Sequence, residues 1–380
     1  MRILSLSPQY PNAVQPGEGM AIEGRLRALA ATGVAHLRVI APRPWRLRGV
    51  PDQELRRGLL VHHPALPPGA QAMPRLLAGA LWPVLRDLRG DFPFDLLDVY
   101  GLYPAGAAVA WLARRFDVPF TVTVHGGEPP WRWGAPLARR QMRRTIQRAA
   151  GLVAVASPVM TALTALGAPS ERLRLLPDGV DLTLFRPGDR TAARLRLGFR
   201  GRTLLAVGPF PQRRDESAMI EALALLPEVD QLVLVGGGPG GAVLADLSHQ
   251  FGVARRIRML GPLPQEALPE IYRAADLLVV TGAREAGPAC VLEALACGTP
   301  VVATLASGAA ALVTTPDAGR LVERATSEAL AAAIATVLAT PPDRSATRAF
   351  AERFDWSDSA VGQIALFAGI IGQRPTPLAA

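Results

Sequence analysis

The sequence contains no lysine, and all 41 of its basic residues are arginine. This absence excludes a lysine Schiff base, and with it pyridoxal-phosphate enzymes, and it excludes a P-loop, whose phosphate contact needs lysine. Cysteine is nearly absent too, since Cys290 and Cys297 are the only two. This count argues against a disulfide framework and against a cysteine-rich zinc site. We interpret both cysteines, which lie on one predicted helix, as small buried apolar residues.

Long apolar runs are missing as well. The longest, near Ala105–Ala113 and Ala329–Ala339, fall short of the roughly 18 residues that a membrane-spanning helix needs. The apolar stretch after Met1 and Arg2 is too short for the core of a signal peptide, so we expect a cytoplasmic chain. Hydrophobic residues make up 49% and charged residues 19%, which excludes a disordered chain.

Short apolar runs alternate with longer helical stretches, which predicts α/β domains with doubly wound parallel sheets. The series restarts after a polar segment near 182–200, so we predict two Rossmann-like domains that face each other across a cleft. The predicted domains are residues 1–182 and 183–355, and an amphipathic helix at 356–372 is expected to pack back on the first. The predicted strands are Ile3–Ser7, Leu37–Ala41, Leu96–Tyr100, Phe120–Val124, Leu152–Ala156, Leu173–Leu176, Thr203–Val207, Gln231–Val235, Arg256–Leu260, Leu277–Val280 and Val301–Ala303.

The strongest chemical signal lies in residues 284–302, directly after a predicted strand. Pro288, preceded by Gly287, is well placed to begin a helix, whose free N–H groups and positive dipole end form an anion-binding site. Glu285 then lies in the loop before the helix, and Glu293 lies in its second turn. Because the helix is otherwise apolar, the Glu293 carboxylate needs strong donors such as sugar hydroxyls or an arginine. A structural ion pair is the rival interpretation.

The two glutamates, eight residues apart and followed by Ala-Leu-Ala-Cys-Gly-Thr-Pro-Val-Val, resemble the signature of a known family. This family is the retaining, nucleotide-sugar-dependent glycosyltransferases of family 4, which have the GT-B fold. The resemblance covers nearly the whole chain. The other segments that carry it, in the expected order, are Pro16–Met20, Thr123–Glu128, Pro177–Asp181, Gly208 with Arg213 and Arg214, Val235–Pro239 and Leu260–Leu263.

The resemblance implies a metal-independent, cofactor-free hexosyltransferase. Its C-terminal domain would bind a nucleotide-diphosphate sugar, and its N-terminal domain would present a hydroxyl acceptor. The catalytic residues that it implies are His125, Glu285, Arg213 and Arg214. The donor-binding residues that it implies are Gly19, Gly208, Gly238, Leu263, Ala286, Gly287, Pro288 and Glu293.

The family assigns a role to each group. Glu285 would hold the donor sugar, and the amides near Ala286 and Gly287 would hold the diphosphate. The ribose hydroxyls would donate to Glu293. Arg213 and Arg214 would offset the charge of the leaving diphosphate, since guanidinium groups bind phosphate strongly. His125, at a predicted strand end, would orient the donor sugar near the acceptor.

The sequence also departs from the family pattern. Pro209 stands where arginine is usual, Arg214-Asp215 where Lys-Gly is usual, Ala286 where glycine is usual, and Asp178 where asparagine is common. Because proline has neither a charge nor an N–H donor, one phosphate contact is lost. A catalytically degenerate relative that binds a nucleotide sugar or serves as a scaffold therefore stays open as the alternative function.

The net charge of +9, carried entirely by arginine, favours a compositional bias of the genome, and affinity for an acidic partner is the functional alternative. Trp131 and Trp133 precede a predicted helix that carries five arginines, a combination that resembles an interfacial membrane contact, with a solvated helix face as the alternative. We therefore expect a glycan or lipid-linked acceptor of cell-surface polysaccharide synthesis, and peripheral contact with the inner face of the cell membrane. The five arginines are Arg139, Arg140, Arg143, Arg144 and Arg148.

Two other classes of ligand are disfavoured. The charge alone does not indicate a nucleic-acid partner, because no aromatic–basic surface motif or zinc knuckle accompanies it. Gly236, Gly238 and Gly241 match the spacing of a dinucleotide fingerprint, but the next predicted strand ends in Gly261-Pro262 rather than in an acidic residue. An NAD(P)-dependent oxidoreductase is thus disfavoured.

Overall fold

The computed structural model describes residues 1–125, 135–208, 210, 217–281, 288–324 and 326–372. The chain forms two compact units. One consists of Met1–Asp178 with the chain from Trp356 onward, and the other consists of Gly179–Asp355. The sequence-based boundary at 182/183 lies a few residues further along. Within the described ranges, no helix is long and apolar enough to cross a membrane.

The first unit is built on an eight-stranded sheet. Its strands are β1 (Arg2–Leu6), β2 (His36–Ile40), β4 (Gln53–Arg56), β5 (Leu59–His62), β7 (Leu96–Tyr100), β8 (Phe120–Val124), β9 (Gly151–Ala154) and β10 (Leu173–Leu175), with β3 (Arg43–Pro44) and β6 (Ala65–Leu66) as a separate pair. The order across the sheet is β10-β9-β8-β7-β1-β2-β5-β4, and every pair is parallel except β4–β5. The helices are α1 (Met20–Ala31), α2 (Pro74–Asp91), α3 (Ala107–Phe116), α4 (Pro136–Arg148), α5 (Ser157–Ala165) and α13 (Trp356–Gly372).

The second unit is built on a six-stranded, wholly parallel sheet. Its strands are β11 (Thr203–Val207), β12 (Gln231–Val235), β13 (Ile257–Gly261), β14 (Leu277–Val280), β15 (Val301–Thr304) and β16 (Gly319–Val322), in the order β13-β12-β11-β14-β15-β16. The helices are α6 (Arg190–Leu197), α7 (Ser217–Ala224), α8 (Gly240–Gln250), α9 (Leu268–Ala274), α10 (Pro288–Ala296), α11 (Ser327–Ala339) and α12 (Arg344–Ala351). The prediction of two parallel α/β domains is confirmed.

Helices cover both faces of each sheet, because the strands are apolar on both sides. In β12, Val233 and Val235 pack into one core cluster while Leu232 and Leu234 pack into another, as the two-residue period of a strand requires. In the first unit, α2, α3 and α4 share one cluster with the sheet, and α1 and α13 share the cluster on the other face. These layers leave the carboxyl ends of the parallel strands at one edge of each sheet.

The polar segment near 182–200 is not simply a linker, because α6 lies within it. The Asp189 carboxylate accepts a hydrogen bond of 2.9 Å from the Ala192 amide and caps this helix. Arg194 donates to the Ala274 carbonyl over 2.9 Å and ties α6 to the second sheet's layer. The segment therefore belongs to the second unit.

Candidate functional site

Glycines lie at the carboxyl ends of β11, β12 and β13. The Gly208 amide donates to Val235, and the Gly236 amide donates to Gly261, over 3.0 and 2.9 Å. A Cβ atom on Gly236 would lie 1.8 Å from the Gly208 carbonyl oxygen, and one on Gly238 would lie 2.6 Å from that of Phe210. Both glycines also have positive φ, so a side chain is excluded at each. Two predicted donor-binding residues, Gly208 and Gly238, are thus brought together at this edge.

The helix predicted to begin at Pro288 does so, and it places Glu293 in its second turn. The Glu293 side chain is buried, with only 7% of the residue exposed. Tyr272 Oη donates to its Oε2 over 2.9 Å, and Gln265 Nε2 donates to its Oε1 over 3.2 Å. Among the described residues its donors are thus a phenol and an amide, not the arginine that the sequence allowed for. Each oxygen has one protein donor and keeps the capacity to accept another bond.

Burial raises the pKa of Glu293 from 4.5 to about 7, although the bonds from Tyr272 and Gln265 act to lower it. The carboxyl group therefore changes charge near neutral pH. The ionised form only accepts hydrogen bonds and accepts them strongly at both oxygens, whereas the protonated form is a donor at one oxygen and a weaker acceptor. A ligand that donates two adjacent hydroxyls to Glu293 is consequently expected to bind better as the pH rises through 7.

The Tyr272→Phe variant is expected to lower the free energy of unfolding of the second unit by about 1–3 kcal/mol at pH 8, because it leaves a buried carboxylate oxygen without its protein donor. The matched control is Tyr10→Phe, which removes another buried hydroxyl, one that has no hydrogen-bond partner among the described residues. Urea unfolding of both variants measures the difference. Equal stability of the two variants would contradict the contribution that we assign to the Tyr272 bond.

In the first unit, His125 directly follows β8, and its Nε2 atom lies 3.2 Å from Oδ1 of Asp178. The Tyr100 ring lies against the imidazole, with centroids 5.7 Å apart. Arg25 donates to the same Asp178 oxygen from Nε and Nη2, over 3.2 and 2.9 Å. Burial acts to raise the pKa of Asp178, but the positive charges of His125 and Arg25 outweigh it and lower the pKa to about 2. An ionised carboxylate thus lies beside the imidazole ring of His125.

The buried Arg25 side chain of α1 forms hydrogen bonds with two other segments of the first unit, residues 176–178 and α13. Besides Asp178, its guanidinium donates to the carbonyls of Leu176 and Pro177 over 2.7 and 3.0 Å, and to Oε1 of Gln363 on α13 over 2.9 Å. The Trp356 ring lies over it, 5.5 Å from centroid to Cζ. A buried charge without such partners would be costly, so these contacts fix the position of α13 against α1.

The hydrogen-bonded network continues from Gln363 to β7. Gln363 Nε2 donates to Oδ2 of Asp98 over 3.4 Å, and Thr121 Oγ1 donates to Oδ1 over 2.7 Å. Burial raises the pKa of Asp98 to about 6, although the Thr121 bond acts to lower it. A continuous path of polar side chains therefore runs from Asp98 through Gln363 and Arg25 to Asp178 and His125.

The remaining predicted site residues fall into two groups. Gly19 precedes α1 in the first unit with φ of 72°, and a Cβ there would lie 2.4 Å from the Gln9 carbonyl oxygen. Leu263 follows β13 and is partly buried against the core of the second unit. The others lie outside the described residues, as do Trp131, Trp133 and the side chain of Pro288; they are Arg213, Arg214, Glu285, Ala286 and Gly287.

Sequence reasoning missed several residues of these sites. Tyr272 and Gln265 carry no local signal, because they reach Glu293 only through the packing of α9 and the loop after β13 on α10. Arg25 does have a local signal in the sequence, because it lies next to Leu26 on the apolar face of α1, where a charged side chain is unusual.

Two family models match the chain. The model described as Glycosyltransferase Family 4 matches residues 25–184, and the model described as Glycosyl transferases group 1 matches residues 192–354. A D-inositol 3-phosphate glycosyltransferase from Rhodococcus jostii is 31% identical over 95% of this chain and 87% of its own. The protein of the same name from Thermobispora bispora is 32% identical over 82% of this chain and 80% of its own.

Solved structures agree in fold. Sucrose-phosphate synthase from Thermosynechococcus elongatus superposes with a TM-score of 0.81 at 21% identity, over 98% of this chain and all of that one. Anabaena HepE, solved in complex with UDP, gives a TM-score of 0.75 at 21% identity, over 97% of this chain and all of that one. Together with the two matched families, these likenesses show that the chain is a glycosyltransferase with the GT-B fold and that it belongs to glycosyltransferase family 4.

Proposed function

We propose that the protein transfers a hexosyl group from a nucleoside diphosphate sugar to a hydroxyl acceptor. The observation that carries this is the Glu293 carboxylate, which is buried, held by one protein donor at each oxygen, and open to one further donor at each. Two adjacent hydroxyls, as on a ribose, match that arrangement. HepE, which shares the fold, binds UDP.

The leaving group of this reaction is a nucleoside diphosphate, which gains negative charge as the sugar departs. The N–H groups at the start of α10 and the positive end of its dipole are suited to stabilise that charge. Close approach of a diphosphate to the backbone is favoured by Gly208 at the end of β11 and by Gly236 and Gly238 after β12. We further propose, from family membership, that Arg213, Arg214 and Glu285 act on the donor, that the anomeric configuration is retained, and that neither a metal nor a cofactor takes part.

The first unit would present the acceptor, with His125 at its strand edge. The relatives are named for D-inositol 3-phosphate, so that compound is the first acceptor to test. The basic helix α4 favours a second class, a glycan or lipid-linked acceptor at the membrane surface. An NMR spectrum of the product distinguishes retention from inversion, since the two anomers differ in their anomeric coupling.

Thermal unfolding with EDTA present, screened against UDP, GDP, ADP and dTDP, tests donor binding. One of these ligands at about 100 times its dissociation constant is expected to stabilise the second unit by about 2.7 kcal/mol. A shift with none of the four would contradict the proposal. A selective shift without transfer from any sugar of that nucleotide would instead support the degenerate, binding-only alternative, in which Pro209 in place of the usual arginine removes a phosphate contact.

A further inference from the structure

The net charge of the protein is confined to one of its two units. The first unit carries 23 arginines against 13 Asp and Glu residues, a net charge of +10, whereas the second carries 18 against 19, a net charge of −1. Both units show the same use of arginine in place of lysine. A compositional bias of the whole sequence therefore does not explain the difference, which points to an acidic partner of the first unit.

Within the first unit, the excess charge lies on one face of the sheet. The neighbouring helices α2, α3 and α4 cover that face, and together they carry ten arginines and only two carboxylates, Asp87 and Asp91. On the opposite face, α1 and α13 carry two arginines, Glu23 and Asp358, so their charges balance. We call the outer surface of α2, α3 and α4 the basic face.

The arginines of α4 are free of carboxylate partners among the described residues. Arg139, Arg140, Arg143, Arg144 and Arg148 are all exposed, and none forms a described ion pair. Three pairs of them are four residues apart, a spacing at which like charges repel and destabilise a helix. Since nothing described within the unit neutralises them, an external anionic surface is the environment that suits them.

Apolar groups are interleaved with this charge. Trp111 on α3 is 45% exposed and meets the Trp82 ring edge-on at 6.1 Å. The Arg115 guanidinium lies over both rings, at 4.7 and 5.4 Å from their centroids. Leu76 on α2 and Leu137 at the start of α4 are exposed as well. Tryptophan, leucine and arginine together on helices that lie flat on a surface are typical of a membrane interface, where rings insert among headgroups and arginines bind lipid phosphates.

We propose that the basic face binds the surface of a bilayer that contains anionic lipids. The arginines supply attraction that falls with salt, and Trp111, Leu76 and Leu137 supply apolar insertion. The exposed leucines favour lipid over a nucleic acid, because the sugar–phosphate backbone of a nucleic acid has no apolar surface for them to contact. Pro136, the first residue of α4, comes only eleven positions after His125, so an acceptor anchored in that bilayer would lie near the proposed acceptor edge. That last step rests on the proposed function, whereas lipid binding itself does not.

Vesicle flotation of the full chain tests the proposal. The protein is expected to float with vesicles of phosphatidylcholine and phosphatidylglycerol at low salt, to be released at high salt, and to stay behind with phosphatidylcholine alone. Changing Arg139, Arg140, Arg143 and Arg144 together to Gln is expected to weaken binding at least tenfold. The matched control changes four exposed arginines of the second unit to Gln and is expected to bind as the wild type does; they are Arg200, Arg202, Arg255 and Arg320.

A second variant, Trp111→Gln, is expected to weaken binding to the same vesicles while leaving its salt dependence unchanged. Wild-type levels of flotation for the α4 variant, or no flotation of the wild type, would overturn the proposal. So would preferential binding to RNA or duplex DNA in competition with the vesicles. The nucleotide-induced thermal shift of the α4 variant is expected to match that of the wild type, so a failure of lipid binding and a failure of donor binding remain distinguishable.

Discussion

The Glu293→Gln variant is expected to bind the nucleotide diphosphate about 10–100-fold more weakly than the wild type at pH 8, because hydrogen bonds to a charged acceptor contribute about 1.5–3 kcal/mol. In the wild type, the affinity is expected to fall as the pH drops below 7, where the Glu293 carboxyl takes up a proton. Glutamine has no charge to lose, so the variant should show no such fall. Isothermal titration from pH 6 to pH 8.5 measures both effects.

The same variant is expected to be more stable than the wild type without ligand at pH 8. The pKa of Glu293 rises from 4.5 to about 7 on folding, so between these values the folded protein binds more protons than the unfolded chain. The contribution of this group to the free energy of unfolding is therefore fully present below pH 4.5 and is lost as the pH rises to 7. The raised pKa corresponds to about 3 kcal/mol, which the neutral amide avoids.

The exposed Glu323, changed to Gln in the same unit, is the matched control and should alter neither donor affinity nor the pH dependence of stability. A Glu293→Gln variant with wild-type nucleotide affinity at pH 8 would exclude contact between this carboxylate and the donor. An unchanged pH dependence of its stability would contradict a carboxyl group that titrates near neutrality. The second measurement needs no ligand, so it tests the site even if the donor is another compound.

The Arg25→Met variant is expected to lose about 3–5 kcal/mol of the free energy of unfolding of the first unit, because it leaves the buried Asp178 carboxylate without the two hydrogen bonds of the guanidinium. Hydrogen exchange, read separately on peptides of each unit, should show the loss in the first unit only. Transfer activity should fall as well, because Asp178 lies 3.2 Å from Nε2 of His125 and a shift of this carboxylate would change the surroundings of the ring. Methionine keeps much of the arginine's volume, so a cavity contributes little to the effect.

Arg2 provides the matched control, because its guanidinium also pairs with an aspartate of the same unit, Asp95, at 3.3 Å but near the surface. Arg2→Met is expected to cost at most about 1 kcal/mol. Adding Asp178→Asn to Arg25→Met should restore part of the lost stability, since the uncompensated charge is then removed. Equal losses for Arg2→Met and Arg25→Met would show that the buried pair contributes no more than a surface one.

The strands were the most predictable part of the fold. β7, β8, β11, β12 and β14 lie where the sequence places them, because a strand buried on both faces is a short continuous apolar run. The β4–β5 hairpin and α2 went unrecognised, because proline and arginine break the apolar pattern there. Helix α8 begins at Gly240, directly after Pro239, since proline and glycine are both tolerated where a helix starts.

The candidate sites were predictable only where the residues that form them lie close together in the sequence. The Gly287-Pro288 pair predicts where α10 begins, and this start places Glu293 in the second turn of the helix. The partners of Glu293 do not, because Tyr272 and Gln265 are 21 and 28 residues away and only packing brings them near. Arg25 and Gln363 are 338 residues apart, so no local sequence pattern predicts their contact.

The order in which a ribosome makes this chain bears on the buried Arg25. Helix α13, which supplies Gln363 and Trp356, is synthesised after the whole second unit, yet it packs against α1 near the beginning of the chain. Domains generally fold as units during synthesis. The second unit is contiguous and can complete its fold first, whereas Arg25 gains its contacts with Gln363 and Trp356 only after α13 has emerged. The unit that starts first is therefore finished last.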